Sequence, residues 1–115
     1  MKKIKISSAA GVEMTATLND SKTAEVIWDA LPIESVAQRW GDEVYFDIGV
    51  KAAEENPQAK VSSGAIAYWP PGKAFCIFFG QMPYSEVNVV GTLDGNSKEF
   101  AKVKQGEAIK LTKVE

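Results

Sequence analysis

Ile33-Glu34-Ser35-Val36-Ala37-Gln38-Arg39-Trp40-Gly41-Asp42-Glu43-Val44-Tyr45-Phe46-Asp47-Ile48 reads as two strands meeting at a glycine. Glycine in the first place of a two-residue loop suits a type II′ turn, whose twist matches that of the strands it joins. With Gly41-Asp42 as the loop, Trp40 faces Glu43, Arg39 faces Val44, Gln38 faces Tyr45 and Ala37 faces Phe46. Successive side chains on a strand point to opposite faces, so Ile33, Ala37, Val44, Phe46 and Ile48 share one face, which must be the core side. Arg39, the only arginine among 13 basic residues, falls on that side near the end of the hairpin. Glu43 and Asp47 lie together on one face of the extended strand; a carboxylate pair for acid-base work is the lesser reading, and solvated edge charges account for them.

Upstream, Lys3 to Ser7 and Val12 to Leu18 alternate polar and apolar residues around Ala9-Ala10-Gly11, an opening hairpin. Ser21 follows as a helix N-cap, its hydroxyl placed to accept from a first-turn amide. Ala24, Ile27, Trp28 and Leu31 then form one apolar stripe, with Trp28 read as the helix's hold on the core, and Pro32 ends the helix. Downstream, Gly49 to Ser63 is polar and reads as a surface excursion with room for a short helical turn. Ala65 to Trp69 and Ala74 to Phe79 are nearly continuous apolar strands joined by Pro70-Pro71-Gly72-Lys73, as expected when both faces of a sheet are covered. Val87 to Leu93 forms another strand, Ser97 to Lys104 a short helix with Phe100 and Val103 inward, and Ala108 to Val114 the last strand. Seven or eight strands with one or two helices, not alternating, argue against a parallel sheet. A closed or nearly closed antiparallel barrel over residues 1–115, one domain, hides the sheet edges.

The composition narrows the functional classes. Of 115 residues, 45% are hydrophobic and 24% charged, as in ordinary globular domains. The net charge is −2 with lysines scattered along the chain, so no basic face for nucleic acid is expected. There is no histidine, which removes Ser-His-Asp and Cys-His pairs and histidine-bearing metal sites. The single cysteine, Cys76, lies in the run Ala74-Phe75-Cys76-Ile77-Phe78-Phe79 and reads as a small buried hydrophobe. The amino-terminal stretch alternates lysine with isoleucine and lacks the apolar core of a signal peptide, and no later stretch approaches a membrane span. The expectation is a cytoplasmic protein with no membrane association, no metal and no cofactor.

Trp40-Gly41-Asp42-Glu43-Val44-Tyr45-Phe46, followed by Ala67-Tyr68-Trp69-Pro70-Pro71-Gly72-Lys73-Ala74-Phe75-Cys76-Ile77-Phe78-Phe79-Gly80, resembles a prokaryotic family of cyclophilin-like proteins. The opening hairpin, the helix before Leu31-Pro32 and Val87-Asn88-Val89-Val90-Gly91 fit it as well, so the resemblance covers almost the whole chain. It implies a mainly β fold, a closed antiparallel barrel of about eight strands with one or two helices, as in peptidyl-prolyl isomerases. True cyclophilins carry an arginine on a barrel strand, a nearby Phe-x-x-Gln pattern and, later, a tryptophan and a histidine lining the proline pocket. Arg39 could stand in for the arginine; the Phe-x-x-Gln pattern after it and the histidine are missing. The family carries no assigned reaction.

Two functional readings follow. Trp40, Tyr45, Tyr68, Trp69, Phe75, Phe78 and Phe79 are dense for so short a chain and read either as barrel lining or as the walls of a concave apolar pocket. In the second case Arg39, Gln38 and Tyr45 act as polar guides, with Tyr68, Trp69, Phe75 and Phe78 as walls. A non-enzymatic module binding a small molecule or a peptide segment is favoured. The alternative is a divergent peptidyl-prolyl isomerase in which the Arg39 guanidinium donates to an Xaa-Pro amide; otherwise Arg39 pairs with Asp42, Glu43 or Asp47 at the barrel mouth. Assembly into a homo-oligomer through an edge strand or the Pro-Pro-Gly hairpin stays open.

Overall fold

The computed structural model describes residues 2–114; Met1 and Glu115, the ends of the expected domain, lie outside the described residues. Nine strands form one antiparallel sheet: β1 (Lys3–Ser8), β2 (Glu13–Leu18), β3 (Ile33–Val36), β4 (Gln38–Arg39), β5 (Glu43–Asp47), β6 (Ala65–Trp69), β7 (Ala74–Phe78), β8 (Asn88–Leu93) and β9 (Ala108–Val114). Their order is β3-β9-β1-β2-β8-β6-β7-β5-β4. Because β3 and β4 are separated in the chain only by Ala37, the two ends of the sheet meet there and the barrel is nearly closed.

The turn at Gly41-Asp42 is as expected. Trp40 and Glu43 exchange both backbone hydrogen bonds (3.0 and 3.1 Å), and Arg39 pairs with Val44 and Gln38 with Tyr45. Gly41 has φ +57°, the left-handed value that glycine adopts without strain. The expected pairing of Ala37 with Phe46 is corrected. Ala37 instead donates to the Glu107 carbonyl at 2.8 Å and accepts from the Gly106 amide at 2.8 Å, while Ile33 to Val36 pair with β9. The reading of one long hairpin thus becomes two short strands that bond to opposite ends of the sheet. Ile33, Ala37, Val44, Phe46 and Ile48 are all buried in the main core, as the alternation required.

Helix α1 (Lys22–Ala30) begins at Ser21, whose Oγ accepts from the Ala24 amide at 3.1 Å. It buries Ala24 and Ile27, and Leu31 just beyond it, in the barrel core. Trp28 is half-buried beside that core, with the Lys2 and Lys113 ammonium groups 5.6 and 5.0 Å from its ring. A 3₁₀ helix over Ser97–Lys102 buries Phe100, followed by buried Val103. Residues 49–63 form no helical turn, in correction of the expectation, but they are well tied. The Glu55 carboxylate accepts from the amides of Lys22 and Thr23 and from the Thr23 hydroxyl, capping α1 from outside. Asn88 bonds the Glu55 amide, the Ala53 carbonyl and Thr23 Oγ1. Among the described residues no helix is long and apolar enough to cross a membrane.

The sheet carries two apolar clusters, one on each face. The larger fills the barrel; the smaller, on the outside of β5, β6 and β7, holds Ala65, Ala67, Ala74, Cys76, Phe78 and Val87 with Tyr45, Val61 and Trp69 against it. That second cluster explains why β6 and β7 are apolar at every position.

Candidate functional site

The outer cluster continues into a cleft of about 250 Å³, lined by Trp40, Glu43, Tyr45, Trp69, Cys76, Pro83, Tyr84 and Val87. Strand register builds its floor. On β5 and β7 the pairs Glu43–Phe78 and Tyr45–Cys76 face each other, and on β6 and β7 the pairs Ala67–Cys76 and Trp69–Ala74. Since Val44, Phe46, Ile66, Tyr68, Phe75 and Ile77 point into the barrel, their neighbours must point out. Small side chains at Ala67, Ala74 and Cys76 leave space on this face that larger residues would fill.

Two tryptophans and a tyrosine stand around that space. Tyr84 packs edge-on between Trp40 and Trp69, with ring centroids 5.7 and 6.2 Å away and interplanar angles of 81° and 88°. Tyr84 is 77% exposed and Trp40 40% exposed, so these rings form an open rim. Trp69 Nε1 donates to Ser85 Oγ at 2.6 Å, which fixes the indole against the segment after Gly80. That segment is held in turn by the antiparallel bridge of Val87 to Gln58 and by the Phe79 amide donating to the Asp42 carbonyl at 3.0 Å.

Beneath the rings lies Glu43, only 5% exposed. Burial pushes its carboxyl up to about 7, against a downward pull from a hydrogen bond with the Cys76 thiol. The thiol itself is driven well above its ordinary range, by burial first and then by the Glu43 charge. Burial and the neighbouring Glu43 charge thus both disfavour the thiolate at Cys76. A carboxyl desolvated in a cleft and shifted toward neutrality makes Glu43 a candidate functional group. Glu43, expected from the sequence as a solvated edge charge, is instead covered. The apolar face of β7 opposite Glu43, with Phe78 as its direct partner, was the signal that this face is covered.

The other sequence-derived candidates divide between the two faces. Tyr45 and Trp69 line the cleft. Tyr68 and Phe75 are buried in the barrel core, where the Tyr68 hydroxyl donates to the Val50 carbonyl at 2.5 Å and accepts from the Ala52 amide at 3.3 Å. Phe78 is fully buried in the outer cluster, below the cleft and not on its wall. Gln38 lines a shallow neighbouring groove with Tyr45 and Trp69, and its Oε1 accepts from Gln105 Nε2.

Arg39 points inward as expected but forms no ion pair among the described residues. Its Nη1 hydrogens go to the carbonyls of Ala101 (3.1 Å) and Val103 (2.8 Å), and Nε and Nη2 both reach the Gly41 carbonyl (3.3 and 2.9 Å). The guanidinium also lies 5.1 Å from the Phe79 ring centroid. It ties the end of the 3₁₀ helix to the Gly41 turn, on the other side of the sheet from the cleft.

Comparison with known proteins follows the same division between fold and site. A model of the cyclophilin-like family matches residues 2–112. The solution structure of the hypothetical protein AF2241 from Archaeoglobus fulgidus is similar at 35% identity and a TM-score of 0.83, covering 98% of this chain and 95% of that one. The structure of McbB in complex with tryptophan is similar at 17% identity and a TM-score of 0.79, covering 95% of this chain but 44% of that one. At that identity the likeness is one of fold alone. Among curated proteins there is no match.

Proposed function

The chain belongs to the cyclophilin-like family, and we propose that it is a binding module whose outer-face cleft takes one small ligand or a short peptide segment. The observation that carries this reading is the convergence of Trp40, Tyr45, Trp69 and Tyr84, from three separate parts of the chain, around a single desolvated carboxyl. Ligand pockets are commonly apolar and aromatic with a few convergent polar groups, and range upward from about 300 Å³. A cleft of about 250 Å³ suits a ligand of one ring system.

The isomerase alternative has less support. Its donor would be Arg39, and both Nη1 hydrogens, Nε–H and one Nη2 hydrogen already serve backbone carbonyls. The binding reading is tested by ligand-observed NMR titration with 2-phenylethanol and indole. Trp69→Ala and Tyr84→Ala are expected to weaken binding at least fivefold, with Trp28→Phe unchanged. Binding that survives both cleft substitutions intact would overturn the assignment of the site.

A further inference from the structure

Resting on that reading of the cleft, we infer that its ligand carries a protonated nitrogen, an ammonium group held by Glu43 while the aromatic rim packs on an apolar body. The argument is one of charge complementarity in a confined place. Glu43 sits at the cleft floor with 5% of its surface exposed. The titratable groups lining the cleft with it are the Cys76 thiol of β7, the Tyr45 phenol of its own strand and the Tyr84 phenol of the covering segment. Among the described residues no lysine or arginine lines the cleft, and the chain's one arginine, Arg39, is committed to carbonyls on the opposite face.

Among the described residues, the cleft thus offers the carboxylate no cationic partner. A desolvated carboxylate without a cation is costly, and the raised value of Glu43 expresses that cost. The walls point to the same class of ligand. Trp40, Trp69 and Tyr84 line the cleft in edge-to-face pairs, and aromatic rings attract ammonium groups through their quadrupoles. A carboxylate ligand would meet Glu43 as a like charge. A neutral apolar ligand would gain the walls but offer Glu43 no charge partner.

The inference separates from the binding reading in one set of titrations with three probes of similar shape: phenethylamine, 2-phenylethanol and 3-phenylpropionate. Phenethylamine is expected to bind at least tenfold more tightly than 2-phenylethanol at pH 8, with 3-phenylpropionate weakest. Glu43→Gln is isosteric and is expected to cut the preference for the amine over 2-phenylethanol from at least tenfold to less than twofold. The wild-type protein supplies a second readout that needs no variant. Phenethylamine stays protonated between pH 6 and pH 8, so its affinity is expected to rise over that range as Glu43 ionises, with proton release on binding at the lower pH. Equal, pH-independent affinity for amine and alcohol would overturn the ammonium inference and leave the binding module standing. Absence of binding by all three at millimolar concentration would overturn both.

Discussion

At Glu43 the folded protein holds a proton more tightly than the unfolded chain does, about 7 against 4.5. Between those values the unfolded state binds fewer protons, so this residue makes stability fall as pH rises from 4.5 to about 7 and level off above it. The span corresponds to no more than about 3 kcal/mol, reduced by whatever water the cleft admits. Glu43→Gln is expected to abolish the decline and to unfold at higher urea than the wild type at pH 8, with the two alike at pH 4.5. A wild-type advantage at pH 8 would contradict the burial argument. Asp94 and Glu55 act in the opposite sense. Hydrogen bonds, chiefly from Lys3 to Asp94 and from Thr23 to Glu55, hold both carboxyls below their ordinary values. Their contribution is present near neutrality and is lost as pH falls through their lowered folded values.

Tyr68 shows why a residue type alone did not place the site. Its aromatic ring suggested a pocket wall, yet its hydroxyl reaches through the barrel to Val50 and Ala52 and ties down the excursion that follows β5. Tyr68→Phe is expected to cost about 1 kcal/mol, since it leaves a part-buried carbonyl and amide without their partner. Limited proteolysis should then cut within residues 49–63 faster than in the wild type. Unchanged cleavage would mean that the tether is idle.

Among the elements, β8 depends on one glycine. A Cβ at Gly91 would meet the Thr17 carbonyl oxygen at 2.1 Å and the Leu18 Cα at 3.0 Å, both backbone atoms of the neighbouring strand. Gly91→Ala is therefore expected to destabilise the protein by about 1–3 kcal/mol or more, read as a lowered urea midpoint, because a backbone cannot move aside as a side chain can. A midpoint equal to the wild type would mean that β2 and β8 are not pressed together as described. Elements set by local chemistry were legible in the sequence: the Gly41-Asp42 turn, the Ser21 cap, the Pro-Pro-Gly turn and the inward face of β5. What was not legible depended on partners far along the chain. Ala37 leaves its hairpin because its hydrogen-bonding partners are at Gly106 and Glu107. Glu43 is covered because the segment after Gly80 folds back over the outer face, and periodicity along β5 carries no information about that segment.

For the whole molecule, closure at Ala37 is what turns a nine-stranded sheet into a barrel, and it makes a measurable claim. The Ala37 and Gly106 amides, which join the two sheet ends, should resist hydrogen exchange about as well as β1 and β9. Rapid exchange at both would describe an open sheet instead. The proposed site lies on the outer face of the sheet, and the three tryptophans report on it directly. Trp40 and Trp69 flank the cleft, whereas Trp28 lies on α1 between Lys2 and Lys113. In a ¹⁵N-labelled sample, the indole N–H resonances of Trp40 and Trp69 are expected to move as phenethylamine is added while that of Trp28 stays fixed. Movement of Trp28 alone, or of none of the three at millimolar ligand, would contradict the outer-face cleft as the binding site.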